Sequence, residues 1–504
     1  MANLSKSKLV AFRQCPKRLW LEIHRPDLRE DSPQAEARFE TGHQVGDIAR
    51  KLYDPKGNGQ LIDAQAEGFE AAFARTKTLL KSRQPIFEAG FAAGGALAFA
   101  DIMLPIQRGG TRAWRMVEVK SSTSVKDYHR DDVAIQARVA MQAGVSLAAI
   151  ALSHVDSSWT YPGDDDYRGL LVEEDLTEEA FGRGAEVDEW ISEAQAVARK
   201  RTEPDIRTGP HCNDPFECPF LAHCQGQEPQ ATHPIGWLPG GRTKALKALI
   251  EQNGWIEMRE IPDEHLNDRQ RRVKTSTISD EIFFDAKGAG ADLASHKLPA
   301  YFIDFETVQF AVPIWKGTRP YQQIPFQFSV HRLSRGGTLA QQEFLDLSGD
   351  DPSKAFAEAL IIACGESGPV FVYNAGFEKG RISELADRYP RLKPRLSAIN
   401  DRIVDLLPVA RDRFYHPSQQ GSWSIKSVLP AIAPDLRYGA LDGIQDGGMA
   451  MNGYLEAISP ATSEERKNQI ESQLREYCRL DTFAMIRLWQ YLTEREPFPL
   501  RSRS

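Results

Sequence analysis

An α/β fold in two domains is what the sequence predicts, and three observations predict it. At 504 residues the chain is too long for one hydrophobic core. Short apolar runs of strand period alternate with stretches of helical period in both halves. Between the halves, "QGQEPQATHPIGWLPGG" is rich in turn residues and interrupts both patterns. The expected division is a first domain over 1–225, a connector over 226–298 and a second domain over 299–504.

The first domain opens with helical patterning, in which Leu9, Phe12, Leu19 and Leu21 fall near one apolar face, and a further helix is expected around residues 44–52. The period then changes. "IFEAGFAAGGALAFADIML" and "AWRMVEVKSS" read as short strands. "DDVAIQARVAMQAG" reads as a helix stopped by glycine, and "LAAIALSHV" as a buried strand. In the connector, "TKALKALIEQNG" is expected to be a short helix and "KGAGADLASHKLP" a loop. The second domain is expected to place strands at "AYFIDFETVQF", "IPFQFSVHRL" and "PVFVYNA". Its helices are expected at "SKAFAEALIIAC" and along "SEERKNQIESQLREYCRLDTFAMIRLWQYL".

Composition excludes some classes. A chain that is 41% hydrophobic and 26% charged is an ordinary globular composition, and no apolar stretch is long enough to span a bilayer. The opening MANLSKSKLV has no apolar core or small-residue cleavage site, and six unevenly spaced cysteines do not form a secreted disulfide pattern. The expected compartment is a reducing cytoplasm. The net charge of −8 gives no general basic surface, so nucleic-acid binding would need a local track; Arg269–Lys274 is the candidate run.

The first constellation of chemistry-bearing residues is Asp101, Glu118 and Lys120. Asp101 ends one expected strand, and Glu118-Val-Lys120 lies in the next, where a period of two puts the carboxylate and ammonium on one face. Two carboxylates from adjacent strands can hold Mg²⁺ or Mn²⁺, and a neighbouring lysine can orient water and offset phosphate charge. Glu88 lies on the preceding strand, and Gln136 on the following helix can reach over the same place. This order of elements resembles the PD-(D/E)XK nuclease superfamily, in particular its RecB-like branch and the CRISPR-adaptation exonucleases. The resemblance implies a restriction-endonuclease-like core and a metal-site histidine on an early helix, for which His43 stands in position. The family's Gln-x-x-x-Tyr is Gln136 followed by Ala140 here, a departure in the helix that would position substrate.

Cys15 sits in "AFRQCPKRLW", and Cys212, Cys218 and Cys224 cluster in "HCNDPFECPFLAHC". One thiolate plus a distant group of three resembles the RecB-like nucleases that bind a 4Fe–4S cluster, and four thiolates suit such a soft group. Binding would staple the N-terminal helix to the end of the domain. Both gaps in the triplet are five residues, unlike the family's usual spacing, so Zn²⁺ is an alternative with His211 or His223 replacing a thiolate. Cys364 and Cys478 read as core residues.

The second constellation is Asp304, Glu306, Glu378 and Asp481. In "YFIDFETVQF" an apolar strand ends with two carboxylates on one face. Buried acids there need a cation or a hydrogen-bonding partner. Tyr477 and Asp481 share a helical face, and "VFVYNAGFEKGRISEL" carries Asn374 and Glu378 into a loop and helix. Together these resemble the motifs of DEDD-type 3′–5′ exonucleases of the tyrosine subclass, with a ribonuclease H-like mixed sheet flanked by helices. The resemblance implies that Asp304, Glu306 and Asp481 bind two divalent ions and that Tyr477 orients the nucleophilic water. Glu378 stands where the family has aspartate. "IVDLLPVAR" resembles a segment of DnaQ-like exonucleases and implies a structural Asp405. Asn374 and Lys426 are the expected nucleic-acid contacts.

The expectation is an exonuclease hydrolysing phosphodiester bonds, by analogy on single-stranded DNA ends more than RNA, in repair or defence. Two alternatives stand beside it: a nucleic-acid-binding or scaffolding subunit with one or both sites inactive, and an RNA-processing exonuclease.

Overall fold

The computed structural model describes residues 3–241 and 243–495. The described chain is a mixed α/β protein with 19 α-helices, and its two larger sheets each combine parallel and antiparallel strands. It divides into two compact units: Met1–Pro229 with Phe310–Gln322, and Gln230–Gln309 with Gln323–Ser504. Among the described residues no helix is long and apolar enough to cross a membrane.

In the first unit, one apolar pattern becomes two helices, α1 (Lys6–Gln14) and α2 (Pro16–His24). The break falls at Cys15, which is extended at φ −162° because the following proline disfavours helical backbone there. Leu9, Phe12, Leu19 and Leu21 are all buried. The helix expected around 44–52 is longer, α3 (Pro33–Tyr53). Strands β1 (Ile86–Ala93), β2 (Ala96–Arg108) and β3 (Thr111–Lys120) form an antiparallel meander. Helix α4 (Asp127–Gln142) then crosses over to β4 (Leu147–Val155), which runs parallel to β3; β5 (Leu171–Asp175) closes that edge antiparallel. A parallel pair requires such a crossover, and it lays α4 across the sheet. Helix α5 (Gly184–Ala198) buries Val187, Trp190 and Ile191 in the same core, and the short α6 (Leu221–Gly226) carries Cys224.

Residues 310–322 complete this unit. Gly317 donates to the Tyr161 carbonyl at 2.8 Å, and Tyr161 donates back to the Thr318 carbonyl at 2.9 Å. Ala311 joins Val45, Val155 and Leu170 in a small apolar cluster.

The second unit holds a five-stranded sheet in the order β8-β7-β6-β9-β10: β6 (Ala300–Val308), β7 (Ile324–Leu333), β8 (Leu339–Leu345), β9 (Val370–Val372) and β10 (Ile403–Asp405). The first three strands pair antiparallel, and β9 and β10 run parallel to β6. Helices α7 (Ser353–Ala363), α8 (Gly376–Arg388), α9 (Ile425–Ile432), α10 (Gly447–Ile458) and the 29-residue α11 (Glu464–Leu492) accompany the sheet. Cys364 and Cys478 are fully buried here.

Residues 230–298 cluster with this unit, and the helix expected in "TKALKALIEQNG" is present as Lys244–Asn253. "KGAGADLASHKLP", expected to be a loop, instead forms a helix over Ala286–Leu293. Its glycines suggest a loop, but the Asp285 carboxylate accepts from the Gly288 N–H at 2.9 Å and caps the first turn. The basic run at Arg269–Lys274 is already engaged. Arg269 pairs with Asp412 at 3.0 Å, Lys274 pairs with Asp263 at 2.7 Å, Arg271 bonds Asp268, and Arg272 stacks on Phe283.

Candidate functional site

Three chemistry-bearing places emerge, two in the first unit and one in the second. The first lies where β2 and β3 part company. Their ladder stops at the pair Ile102–Val117, and the Asp101 side chain takes over by accepting from the Val119 N–H at 2.7 Å. Opposite Asp101 on β1, Glu88 sits in the left-handed region at φ 57°, which costs energy for a residue with a side chain and is typical of functional sites. Glu118 is buried, and both of its oxygens are occupied. Oε1 accepts from Lys120 at 2.6 Å and from Lys6 at 3.0 Å, and Oε2 accepts from Gln136 at 2.6 Å.

Two members of this place were not singled out by sequence reasoning. Lys6 comes from α1 and Asp132 from α4, one turn before Gln136. Asp132 bonds the Lys120 ammonium and stands 3.1 Å from that of Lys6. The i, i+4 spacing of Asp132 and Gln136 was a signal within reach, since both project from one face of α4. Lys6 carried none, because its partners lie more than a hundred residues away.

Burial works against charge on Lys120, but the carboxylates of Asp132 and Glu118 outweigh it and hold its pKa well above the ordinary lysine value. Burial and the Glu118 charge push Asp101 well above the ordinary carboxyl range. Burial also raises Glu88, with the Glu118 charge adding to it. His43 is exposed on α3, with Glu88 in its electrostatic reach. Ala140, at the family's tyrosine position, is fully buried in the core. The place is therefore an acid cluster already neutralised by two lysines, and a divalent ion at Glu118 would have to compete with them.

The second place is the cysteine pocket. Cys15, Cys212, Cys218 and Cys224 line one small cavity together with Lys17, Arg18 and His211. Gln14, at the end of α1, donates to the carbonyls of His211 and Phe216 at 2.7 Å each, so the cysteine-bearing segment is held against that helix end. Burial raises the Cys224 thiol to about 11, with the Lys17 ammonium opposing and the neighbouring thiols contributing. His211 Nε2 is 3.6 Å from the Cys212 sulfur, whereas His223 faces Glu203 at 3.3 Å. Four thiolates on one zinc would sit about 3.8 Å apart, from tetrahedral Zn–S bonds of about 2.3 Å. Among the described residues, the group of three or more ligand atoms within 4.8 Å of one another is an acid triplet in the second unit, and the cysteine sulfurs are not drawn in that tightly. Thiols with a neighbouring imidazole are donors of the kind that suits a soft metal group.

The third place is that triplet. Asp304 and Glu306 project from β6 and Asp481 from α11, with one carboxylate oxygen of each within 4.8 Å of the others. Glu306 and Asp481 are buried and Asp304 is half-buried. Burial and the neighbouring carboxylates push Asp304 and Glu306 well above the ordinary carboxyl range. Burial raises Asp481 to about 6, against the hydrogen bond from Tyr438. Three acids, two of them buried, that repel one another and have no ion-pair partner within 4.0 Å among the described residues fit a divalent cation by charge and by oxygen-donor chemistry.

Glu378, at the start of α8, is buried; its pKa is raised to about 8 by burial, and its Oε2 has no hydrogen-bond partner. It affects Asp304 electrostatically without belonging to the close triplet. Tyr477 is buried beside the acids; burial and the charge of Asp481 raise its pKa, so it stays a phenol. Tyr438, missed in the sequence, donates to Asp481 Oδ1 at 2.5 Å. Lys426 Nζ lies 5.2 Å from the ring centres of both Tyr438 and Tyr477 and donates to the Gln445 carbonyl at 2.7 Å. Asn374 adopts φ 77° and is held by Asp405, whose carboxylate accepts from the backbone N–H groups of Asn374, Ala375 and Leu407 at 2.9–3.0 Å. Asp405 thus fastens the loop that leads to Glu378.

A family model described as a domain of unknown function (DUF2779) matches residues 301–424, which include Asp304, Glu306 and Glu378 but not Tyr477 or Asp481. An uncharacterized protein of Mycoplasma pneumoniae, the MG366 homolog, is 26% identical over 212 residues, 38% of this chain and 32% of its own length. The uncharacterized protein MG366 of Mycoplasma genitalium is 26% identical over 220 residues, 39% of this chain and 32% of its own. The match spans about a third of the length of these curated relatives.

Proposed function

We propose that the chain is a divalent-metal-dependent nuclease whose main catalytic centre is the triplet Asp304, Glu306 and Asp481. The observation that carries this reading is the convergence of three carboxylates, two of them buried, within 4.8 Å, with acidities shifted as expected for groups awaiting a cation. Mg²⁺ or Mn²⁺ held there would supply Lewis-acid stabilisation of a phosphodiester undergoing attack by water. Tyr477, kept protonated, donates a hydrogen bond and so orients water; it is not a base. Tyr438 fixes the Asp481 carboxylate. Lys426 offers a cation beside the triplet, and the Asn374 loop, fastened by Asp405, offers polar contacts to a strand.

The five-stranded mixed sheet with its helices is consistent with a ribonuclease H-like exonuclease of the tyrosine subclass. In the first unit, the Asp101–Glu118–Lys120–Gln136 set supports a second, RecB-like PD-(D/E)XK centre, and the four cysteines support a 4Fe–4S group that staples α1 to α6. The substrate class we favour is single-stranded DNA ends, in repair or defence. A second reading has one specific observation behind it. Both oxygens of Glu118 are already taken by Lys6, Lys120 and Gln136, which suits a first unit that binds nucleic acid without cutting it.

The test is a gel assay of end-labelled single-stranded DNA with Mn²⁺, comparing wild type, Lys120→Ala, Asp304→Ala and the double variant. Asp304→Ala is expected to lose at least about 100-fold in rate, the scale of removing a key electrostatic group. A partial loss in each single variant assigns two working centres, and no effect of Lys120→Ala supports the binding role for the first unit. Cleavage unchanged in the double variant, or none in wild type, sinks the nuclease reading.

A further inference from the structure

Helix α11 carries Tyr477 and Asp481 on one face, and on a different face it forms the wall of a separate cavity. By helical period, Arg479 and Phe483 are rotated well away from Tyr477 and Asp481, and Leu480 lies between the two faces. They line a cavity of about 600 Å³ together with His331, Leu436 and Leu441, within the range of roughly 300–1,000 Å³ usual for small-molecule sites. We propose that this cavity binds a nucleoside monophosphate, and that its occupancy is sensed at Asp481 through Tyr438.

Three observations carry the proposal. Arg479 is half-buried and has no carboxylate within 4.0 Å among the described residues, although it lines a cavity of mixed polar and apolar walls. A partly desolvated cation with no carboxylate at contact distance favours an anionic ligand, and guanidinium is well matched to phosphate. Arg437, also lining the cavity, is exposed, and among the described residues its side chain donates to the Pro434 carbonyl at 3.4 Å. Of the two acids at the rim, Asp435 is paired with Arg487 at 2.7 Å, which leaves Glu476 as the opposing charge.

The second observation concerns the walls. Leu436, Leu441, Leu480 and Phe483 present apolar and aromatic surface suited to a planar ring. The choice of a nucleotide among ring-bearing anions rests on the proposed hydrolysis, whose product from a strand end is a nucleoside monophosphate.

The third is the connection. The segment 436–441 supplies Leu436, Arg437, Ala440 and Leu441 to the cavity, and between them Tyr438 reaches the other way to Asp481 at 2.5 Å. From the floor, His331 bonds Thr482 at 2.8 Å, the neighbour of Asp481 in the chain. A ligand that repositions this segment shifts the donor on a candidate metal ligand, which is a differential contact of the kind that coupling requires.

The experiment uses the full chain, kept metal-free with chelator, and deoxyadenosine 5′-monophosphate as probe, with thermal unfolding and calorimetric titration as readouts. The nucleotide at 1 mM is expected to raise the wild-type Tm by about 2 °C. That shift should vanish in Arg479→Ala and in Arg479→Gln, each first checked for an unchanged ligand-free Tm, and should persist in Asp304→Asn. Absence of binding in wild type, equal binding in both Arg479 variants, or loss only in Asp304→Asn overturns the site. Inorganic phosphate or deoxyadenosine acting as well as the nucleotide overturns the ligand class. For the coupling, with the chelator removed and Mn²⁺ titrated in, the nucleotide should change the Mn²⁺ midpoint of wild type at least about threefold and leave that of Tyr438→Phe unmoved. A shift retained in Tyr438→Phe overturns the route through that tyrosine. None of these readouts depends on cleavage, so failure of the nuclease assay and failure of this site are distinguishable.

Discussion

Asp304, Glu306 and Asp481 repel one another inside a buried site, and that repulsion has a stability cost whose sign is fixed by their acidities. All three are held above the ordinary carboxyl range, Asp481 at about 6, whereas in the unfolded chain such groups titrate near 4. Between those values the folded state binds more protons than the unfolded state, so stability falls as pH rises. The metal-free protein should therefore be less stable at pH 7.5 than at pH 5, losing up to about 1.4 kcal/mol per pH unit for each proton that differs. Asp304→Asn removes one repelling charge and should stabilise the metal-free protein by about 1 kcal/mol at pH 7.5, while abolishing stabilisation by Mn²⁺. Chemical unfolding across that pH range, with and without Mn²⁺, tests this; parallel curves for wild type and Asp304→Asn would discard it. In the first unit the same problem is solved differently. Lys6 and Lys120 neutralise Glu118 and Asp132 from within the protein.

At the scale of elements, α1 joins two of these places. Its first residue is Lys6, in contact with Glu118, and its last is Gln14, bonded to the carbonyls of His211 and Phe216, with Cys15 next in line. Nine residues at about 1.5 Å each make a strut of roughly 13 Å between the cysteine pocket and the acid cluster. Binding a soft metal group to the four cysteines should hold that strut in place, because the binding free energy is also folding free energy. Cys15→Ser is expected to lose the visible absorption of protein purified without oxygen. It should also raise hydrogen exchange in both α1 and the segment around 210–226, even though the two are far apart in sequence. A colourless wild-type sample containing zinc, or faster exchange in α1 alone, would contradict the stapling by a cluster. Asp405 plays a comparable part in the second unit, where three backbone N–H groups converge on it and fasten the loop before α8.

For the whole molecule, the chain returns once to its starting unit. Residues 310–322 leave between β6 and β7 and belong to the first unit, where Ala311 packs with Val45, Val155 and Leu170. Tyr321 donates to the Ser121 carbonyl, one residue beyond Lys120. A fragment ending at Pro229 lacks this cover. It is expected to be less stable than the first unit within the full chain, by about 2–3 kcal/mol for the uncovered apolar surface and lost hydrogen bonds. Urea unfolding followed by the fluorescence of Trp114 and Trp190 would test this; an unchanged midpoint would mean that residues 310–322 contribute nothing to that core.

Much of this was legible in the sequence. Periodicity alone located the strands bearing Asp101, Glu118 and Asp304 and the helix bearing Tyr477 and Asp481, because side-chain direction follows from strand and helix geometry over a few residues. The helix over Ala286–Leu293 was read as a loop, since its glycines outweighed a cap at Asp285 that only side-chain geometry reveals. What the sequence by itself determined is which residues share a local face, and hence the acid pairs and the thiol triplet. Only the tertiary structure decided that Lys6 joins Lys120 in neutralising Glu118 and Asp132, that Tyr438 fixes Asp481, and that residues 310–322 finish the first unit. Those contacts join positions far apart along the chain, and their partners are set by how elements pack, which local spacing does not encode.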